Sequence, residues 1–394
     1  RPVLLYAGNA QLAEKIRTQI EPITPIRIAP NIRPSFETED LGPAQACLNE
    51  ITLTHRAARI KGISDLVNLT NGHVYSTAYA FGRMVRYLSK IYDSGRGVLG
   101  MDLGSGSAVL AAAFSGRLIL HTHSPFGIGE GLTGAIKDIP LADIAQWMPV
   151  STHLEDLNDF LHQKAAFPGS LPVTPEELAM EQSLAREIIR RSAKGLANRP
   201  YSKYPGPGPG VLPYFEPILL AGAVFNQAPS AAQVVMMLLD GLQPTGITTL
   251  VLDQNNLTPA LGALAGVNPV LPVQVMESGA YINLGTIISP ISRAPEDTLL
   301  LNARMVFEDN HETTVEVKQG SLYAIPLNRG ETAHLYLEPA VRADLGLGKT
   351  GRGVKITGGA LGAIIDARGR PLRLPADEVK RIDFNKKWLW TLGG

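Results

Sequence analysis

The stretch Gly97-Val98-Leu99-Gly100-Met101-Asp102-Leu103-Gly104-Ser105-Gly106-Ser107-Ala108-Val109-Leu110 holds the residues best suited to chemistry in this chain. An apolar strand reaches one acid, passes through a Gly/Ser hinge and re-enters an apolar strand. Gly104 and Gly106 carry no Cβ, so backbone N–H groups of the hinge can approach an anion such as phosphate. Asp102, at the strand end, is placed to hold a metal ion, directly or through water. An ordinary Gly-rich hairpin has the same pattern, so the motif alone leaves both readings open.

Other candidates are weaker. His121 and His123 share one face of a third strand, Arg117 to His123, and can ligate a metal; no third ligand stands at a recognisable spacing, which favours half-buried packing. Glu130, in Gly127-Ile128-Gly129-Glu130-Gly131, lies in a loop expected to be mobile and either faces the same site or leads into a helix. Gly346-Leu347-Gly348-Lys349-Thr350 looks like the end of a Walker loop, but Ala343 stands where the first glycine is required, so it reads as a basic turn. Cys47, mid-helix without a neighbouring base, reads as packing. Asn68-Leu69-Thr70 and Asn256-Leu257-Thr258 fit the glycosylation pattern, which means little in a cytoplasmic protein. Trp388 and Trp390 are suited to docking on a domain surface or anchoring a partner.

The elements that position these residues alternate. Val3 to Ala7 reads as a strand, Asn9 caps a helix over Gln11 to Ile20, and Ile26 to Ala29 is a second strand. Helices follow over Pro43 to Leu53 and Ser76 to Tyr92, the latter with Ala80, Met84, Val85, Leu88 and Tyr92 on one side. The meander ends near Ser124. Residues 125 to 200 read as mostly helical. Thr174-Pro175-Glu176-Glu177 is a capping box, Leu178, Leu184, Ala185 and Ile188 form an apolar stripe, and Gly195 is expected to end the helix. Tyr204-Pro205-Gly206-Pro207-Gly208-Pro209-Gly210 breaks regular structure. A strand over Pro217 to Leu220, a turn at Gly222, a helix over Ser230 to Leu242, a strand over Thr248 to Leu252 and a helix over Pro259 to Ala265 complete an α/β layer sandwich. Past Asn268 short strands and turns predominate, including Leu372 to Leu374, and residues 268–394 read as a mainly β module, sandwich or barrel.

Bulk composition bounds the function. The 394 residues are 45% hydrophobic and 18% charged, which suits packed domains rather than disorder. Lys and Arg number 36, as do Asp and Glu, for zero formal net charge and no footprint for nucleic acid or anionic lipid. Cys47 is the single cysteine, so no internal disulfide is available and a reducing cytoplasm is expected. No apolar run is long enough to span a bilayer, and no signal peptide is visible. The abrupt start at Arg1, directly before an apolar strand, points to processing or a missing N-terminal portion.

With these elements in order, the chain resembles the actin-like ATPase superfamily of sugar kinases, heat-shock chaperones and actin. Within it the chain is most similar to the glutamate mutase accessory protein (GlmL/MutL) family. The resemblance rests on Pro2-Val3-Leu4-Leu5-Tyr6-Ala7-Gly8-Asn9, on Asn31-Ile32-Arg33-Pro34 with the following Pro43-Ala44 helix, on Met101-Asp102-Leu103-Gly104, and on the Leu171-Pro172 to Arg186 helix. It implies an α/β, ribonuclease H-like ATPase core, incomplete at its N-terminus because the first phosphate loop belongs upstream of Val3. Residues 1–95 would be the remainder of a first lobe, 96–267 a second lobe with its phosphate-loop meander and helical insertion, and 268–394 the β domain, which the resemblance does not cover. It also implies that Asp102, Gly104, Ser105, Gly106 and Ser107 form the second phosphate loop for ATP, that Mg²⁺ sits near Asp102, and that Gly222 lies in the adenosine turn. The expected role is that of an accessory or chaperone-type protein with a protein partner, an adenosylcobalamin-dependent mutase or further copies of the chain. The family's loop usually reads Asp-x-Gly-Gly-Ala-Thr-Thr-Asp; here Ser105 replaces a glycine, Ala108 a threonine and Val109 the second acid. The adenosine turn has Gly222 alone between alanines. These departures keep open a non-catalytic scaffold or assembly protein with a degenerate nucleotide site, and leave ATP hydrolysis undecided. A sugar or acetate kinase is the weaker alternative, because no substrate aspartate stands in the expected place.

Overall fold

The computed structural model describes residues 2–36, 38–92, 95–198, 206–346 and 353–394. The chain begins with β1 (Leu4–Tyr6), α1 (Ala10–Ile20), β2 (Ile26–Ile28), α2 (Gly42–Ala57), α3 (Ile63–Leu69) and α4 (Thr77–Ile91). A meander of β3 (Gly97–Leu103), β4 (Ala108–Phe114) and β5 (Arg117–His123) follows. Next come α5 (Leu132–Asp138), α6 (Leu141–Ala145), α7 (Leu154–Ala166) and α8 (Pro175–Ala197). The chain returns through β6 (Phe215–Ala221), α9 (Ala223–Asn226), α10 (Ala231–Gly241), β7 (Gly246–Leu252), α11 (Thr258–Leu264) and α12 (Val270–Glu277). The remainder holds β8 (Ile282–Ser289), β9 (Ile291–Ser292), β10 (Leu299–Phe307), β11 (Glu312–Lys318), β12 (Leu322–Ile325), β13 (Thr332–Pro339), β14 (Ala343–Asp344), β15 (Val354–Thr357), β16 (Ala363–Asp366) and α13 (Glu378–Thr391).

Side-chain caps set several helix starts. Asn9 caps α1 by accepting from the Gln11 amide at 2.8 Å, and Ser76 caps α4 through the Tyr79 amide. Thr174 Oγ1 accepts from the Glu177 amide at 3.1 Å while Glu177 Oε2 accepts from the Thr174 amide at 3.3 Å, closing the capping box. Three expectations give way. Gly195 does not end α8, which runs on to Ala197: burial of Ala193 and Leu196 outweighs the ~1 kcal/mol that a helical glycine costs. Tyr92 leaves the buried stripe of α4 because it is the extended C-cap, and it is exposed. Leu372 to Leu374 is not a strand; Pro371 and Pro375 withhold ladder donors, and the Leu372 amide donates to Gln243 Oε1 at 2.8 Å instead.

The main sheet runs β12-β16-β8-β7-β6-β3-β4-β5. β3 pairs antiparallel with β4, and β4 with β5, whereas β3, β6 and β7 are parallel. Helices α8 and α10 cover one face, where Leu99, Met101 and Leu103 join Leu184, Ile188 and Val235. On the other face Phe81, Met84, Val85 and Leu88 of α4 pack against Val98, Val109 and Ala111. Burying each such large side chain contributes about 1.5 to 3 kcal/mol, which binds α4 to the meander. Two glycines permit this approach. A Cβ on Gly100 would lie 2.6 Å from Val85 Cγ2, and one on Gly262 would lie 1.9 Å from the Ala80 carbonyl, where α11 crosses α4 backbone to backbone.

Residues before α4 pack differently: β1 and β2 form a two-stranded parallel pair, and between residues 2 and 79 only Ala29 is buried among the described residues. The segment after residue 268 has its own antiparallel sheet, β11-β10-β13-β15, as the turn-and-strand pattern anticipated. It does not stand apart, however. β8 pairs with β7, β16 with β8 and β12 with β16, so three of its strands extend the main sheet. The antiparallel sheet then packs Leu301, Met305 and Leu335 onto Ile247, Ile288 and Ile365. β8 is buried from Leu284 to Ser289, with Leu284 and Ile287 in one core and Ile288 in the other, so joining that layer covers both its faces.

Candidate functional site

The carboxyl ends of β3, β6 and β7 lie side by side, with Asp102 opposite Ala221 and Leu220 opposite Leu252. Beyond such ends an open α/β sheet offers its ligand crevice. Asp102 lies next to last in β3, half-buried, and its carboxylate accepts no hydrogen bond from a described residue. Burial, and then the charge of Asp253, push its pKa up to about 6. Asp253 follows β7 and is fully buried. It starts α11, with Oδ1 accepting from the Leu257 amide at 2.9 Å and Oδ2 from the Thr258 amide at 2.7 Å and the Thr258 hydroxyl at 2.6 Å. Its negative charge is thus held by helix donors, while that of Asp102 is held by no described residue. Thr258 Oγ1 also lies 3.1 Å from the Tyr281 hydroxyl, whose pKa burial raises. Asn226 donates to the Asp253 carbonyl at 3.1 Å and leaves its Oδ1 buried without a partner among the described residues.

The hinge beside Asp102 is a fixed structure. The Gly104 amide donates to the Ser107 carbonyl at 3.0 Å, whereas the amides of Ser105, Gly106 and Ser107 donate to no described residue. Its carbonyl side is fastened by residues 127–131. Ile128 N donates to Gly104 O at 3.1 Å, Gly129 N and Gly131 N both donate to Ser105 O at 2.9 Å, and Glu130 N donates to Ser105 Oγ at 3.0 Å. With the Gly104, Ser105 and Ser107 carbonyls bound, the three amides are left as donors for another group. The loop at 127–131, expected to be mobile, is therefore a strap, and Glu130 is exposed upon it. Its glycines are sterically required. A Cβ on Gly127 would lie 2.1 Å from Ser105 O, and one on Gly131 2.4 Å from Gly106 O. Gly106 differs, since a Cβ there would meet nothing within 4 Å; it leaves open space in front of the hinge.

Gly222 joins the same place. Its φ is +116°, and a Cβ would stand 2.2 Å from the Leu103 carbonyl, so the turn after β6 lies directly against the end of β3. Asp102, the residues 104–107 and Gly222 thus lie together in space. Sequence reasoning missed Asp253 and the strap glycines. The signals were an apolar strand ending in acid at Leu252-Asp253 with Thr258-Pro259 opening a helix, and glycine at every second residue from 127 to 131.

The remaining candidates lie elsewhere or serve packing. His123 stacks on His121 at 6.1 Å and on Phe126 at 5.8 Å, and burial lowers its pKa. Among the described residues no group of three or more His, Cys, Asp or Glu side chains forms a metal cage. Cys47 is half-buried in α2. Trp388 is buried, whereas Trp390 is 73% exposed. Residues 347–350 of the Walker-like turn, and 204–205 of the Pro/Gly segment, lie outside the described residues. No helix among the described residues is long and apolar enough to cross a membrane.

A family model described as MutL protein matches residues 1–279. The chain belongs to the MutL protein family. That membership bears out the resemblance drawn from the four segments quoted above. No curated protein matches the chain. One similar solved structure is the activator of the 2-hydroxyisocaproyl-CoA dehydratase from Clostridium difficile with bound ADPNP, at 14% identity over 52% of this chain and 69% of that one, with a TM-score of 0.27. Another is (R)-2-hydroxyglutaryl-CoA dehydratase component A from Acidaminococcus fermentans, at 17% identity over 47% of this chain and 65% of that one, with a TM-score of 0.24.

Proposed function

We propose that this MutL-family chain is an actin-like, nucleotide-binding accessory protein, with its nucleotide cleft at the carboxyl ends of β3, β6 and β7. The observation that carries the reading is a half-buried Asp102 carboxylate that no described residue pairs, beside three backbone amides that donate to no described residue. A carboxylate with a raised pKa binds a cation in exchange for its proton. The amides of Ser105, Gly106 and Ser107 then suit the β- and γ-phosphates of ATP. The strand pattern supports the actin-like core: an antiparallel meander β5-β4-β3 continued by parallel β6 and β7. In this reading residues 1–95 and 96–267 divide into the two lobes, and 268–394 add strands to the second.

The residues fit Mg²⁺. This ion keeps several waters and is held through one or two carboxylates plus phosphate oxygens, rather than by an all-protein cage. Asp102 would hold it, directly or through water; when bound it neutralises phosphate charge. Asp253 keeps the local field negative while its own oxygens stay on α11. Gly222 lets the adenosine turn approach the hinge, and Asn226 Oδ1 offers a further acceptor. In this reading the state of the cleft is relayed to a protein partner, an adenosylcobalamin-dependent mutase, in the cytoplasm. Isothermal titration of the intact chain with Mg-ATP tests this: saturable binding, lost in Asp102→Ala, is expected, and no heat with the unaltered chain overturns it.

One observation favours a second reading, binding without hydrolysis in a scaffold. Val109, opposite Asp102 on β4, is 4% exposed and apolar where the family pattern carries its second acid. ATP turnover that disappears in Asp102→Ala would exclude this second reading.

A further inference from the structure

A cavity of about 210 Å³ lies between α8, α10 and α13, on the opposite face of the sheet from α4 and α11. Its walls are mostly apolar, from Trp147, Leu178, Ala179, Met236 and Leu389. The charged side chains on it are Glu176, which is exposed, and Arg186 and Asp240, which are buried. Arg186 is 6% exposed and its Nε donates to Asp240 Oδ2 at 2.9 Å, but its two terminal nitrogens donate to no described residue. Asp240 is already shared, because Arg368 Nη1 donates to its Oδ1 at 2.8 Å. Arg368 in turn forks onto Asp366 through Nε and Nη2, both at 2.9 Å, and Arg370 Nη2 donates to Asp366 Oδ2 at 2.7 Å. Three buried guanidinium groups therefore share two buried carboxylates. One positive charge is left over, and the only member of the network lining the cavity with free donors is Arg186. Burial and the neighbouring Arg368 charge both work against the charged form of Arg186.

We propose that this cavity is a binding site for a small organic monocarboxylate, its carboxylate on the terminal nitrogens of Arg186 and its short apolar body against Met236 and Leu389. A guanidinium edge offers parallel donors that match the two oxygens of a carboxylate, and a desolvated pair of this kind is strong. The anion balances the network that the protein leaves one charge short. The apolar wall selects against a fully hydrated ion, and the volume limits the ligand to a few carbon atoms or one ring. Gln182 and Gln233, hydrogen-bonded to each other at 3.1 Å, offer their remaining amide groups to a substituent. The site is independent of the Asp102 cleft.

The test is thermal melting and isothermal titration of the full chain with sodium propionate, butyrate and benzoate, against sodium chloride and inorganic phosphate at matched ionic strength. Saturable binding of at least one carboxylate is expected, with chloride and phosphate giving none. Arg186→Met leaves two guanidiniums on two carboxylates, so it should melt close to the unaltered chain while binding the carboxylate at least tenfold more weakly. Ala179→Leu fills the cavity and leaves every charge in place; it should weaken binding likewise, and it carries the test if Arg186→Met does not fold. Absence of saturable binding, unchanged affinity in the folded variants, or phosphate binding as tightly as the carboxylates overturns the proposal. Asp102→Ala should leave this binding unchanged.

Discussion

Asp102 and Asp366 are the same residue type near the carboxyl ends of two strands in one sheet, yet their surroundings are opposite. Asp366, at the end of β16, is fully buried, and burial alone would raise its pKa; Arg368 and Arg370 outweigh that and hold it well below the usual carboxylate range. Asp102 has no such cation, and burial with Asp253 nearby carries it the other way, to about 6. Because β8 turns antiparallel to β7 and β16 runs with β8, the two acids lie at opposite ends of the sheet along the strand direction. One is compensated from within the chain and ties β16 to the loop that follows it. The other is left for something outside the chain to compensate. A buried charge that the fold neutralises is architecture, whereas one that it leaves bare is a candidate for binding.

The comparison breaks most visibly at Asp366. Asp366→Asn leaves Arg368 with Asp240 alone and removes the carboxylate that Arg370 pairs with, and a loss of about 3 to 5 kcal/mol in urea denaturation is expected. If that variant is no less stable than the unaltered chain, the contrast fails. Asp102→Asn should act in the opposite sense. The folded pKa is raised from 3.8 to about 6, so the folded chain binds more protons between those values and loses stability as pH rises through them. Removing the acid should therefore stabilise the ligand-free chain by up to about 3 kcal/mol at pH 8 and by little at pH 4, while abolishing Mg-ATP binding. Denaturation at the two pH values, with titration alongside, checks both halves.

Gly127→Ala sharpens the comparison from the strap. Its Cβ would stand 2.1 Å from Ser105 O, so a loss of about 2 kcal/mol is expected, together with weaker nucleotide binding as the amides lose their aim. Thr174→Ala sets the scale of a purely local contribution. Loss of the capping box should cost about 1 kcal/mol by thermal or urea unfolding and leave nucleotide binding unchanged.

Much of this was legible along the chain because it is local. Asp102-Leu103-Gly104 with Gly106 marks a strand end and hinge within a few residues, and Thr174-Pro175-Glu176-Glu177 marks a helix start with equal economy. Gly222 was readable as a turn between an apolar strand and a helix. Asp253 was harder, since it looks like a loop acid until β7 is laid beside β6 and β3. The strap glycines read as flexibility; pinned by Ser105, the same residues are there because nothing larger fits. Asp366-Ala367-Arg368-Gly369-Arg370 has the composition of a turn, yet Asp366, Ala367, Arg368 and Arg370 are all buried.

Residue order alone determined the alternation of strands and helices, the caps, the meander and the acid at its end, because each depends on neighbours a few positions away. It also carried the family resemblance through short ordered segments. Only the tertiary structure decided which acids are paired. Arg368 reaches Asp240, and Asp253 raises the pKa of Asp102, across distances in the chain that no local pattern spans. It likewise decided that β8, β12 and β16 join the main sheet, since an apolar strand is buried wherever a matching face exists. Propensity and capping act within a turn or two of chain, whereas desolvation and charge compensation act through space, and the candidate site depends on both.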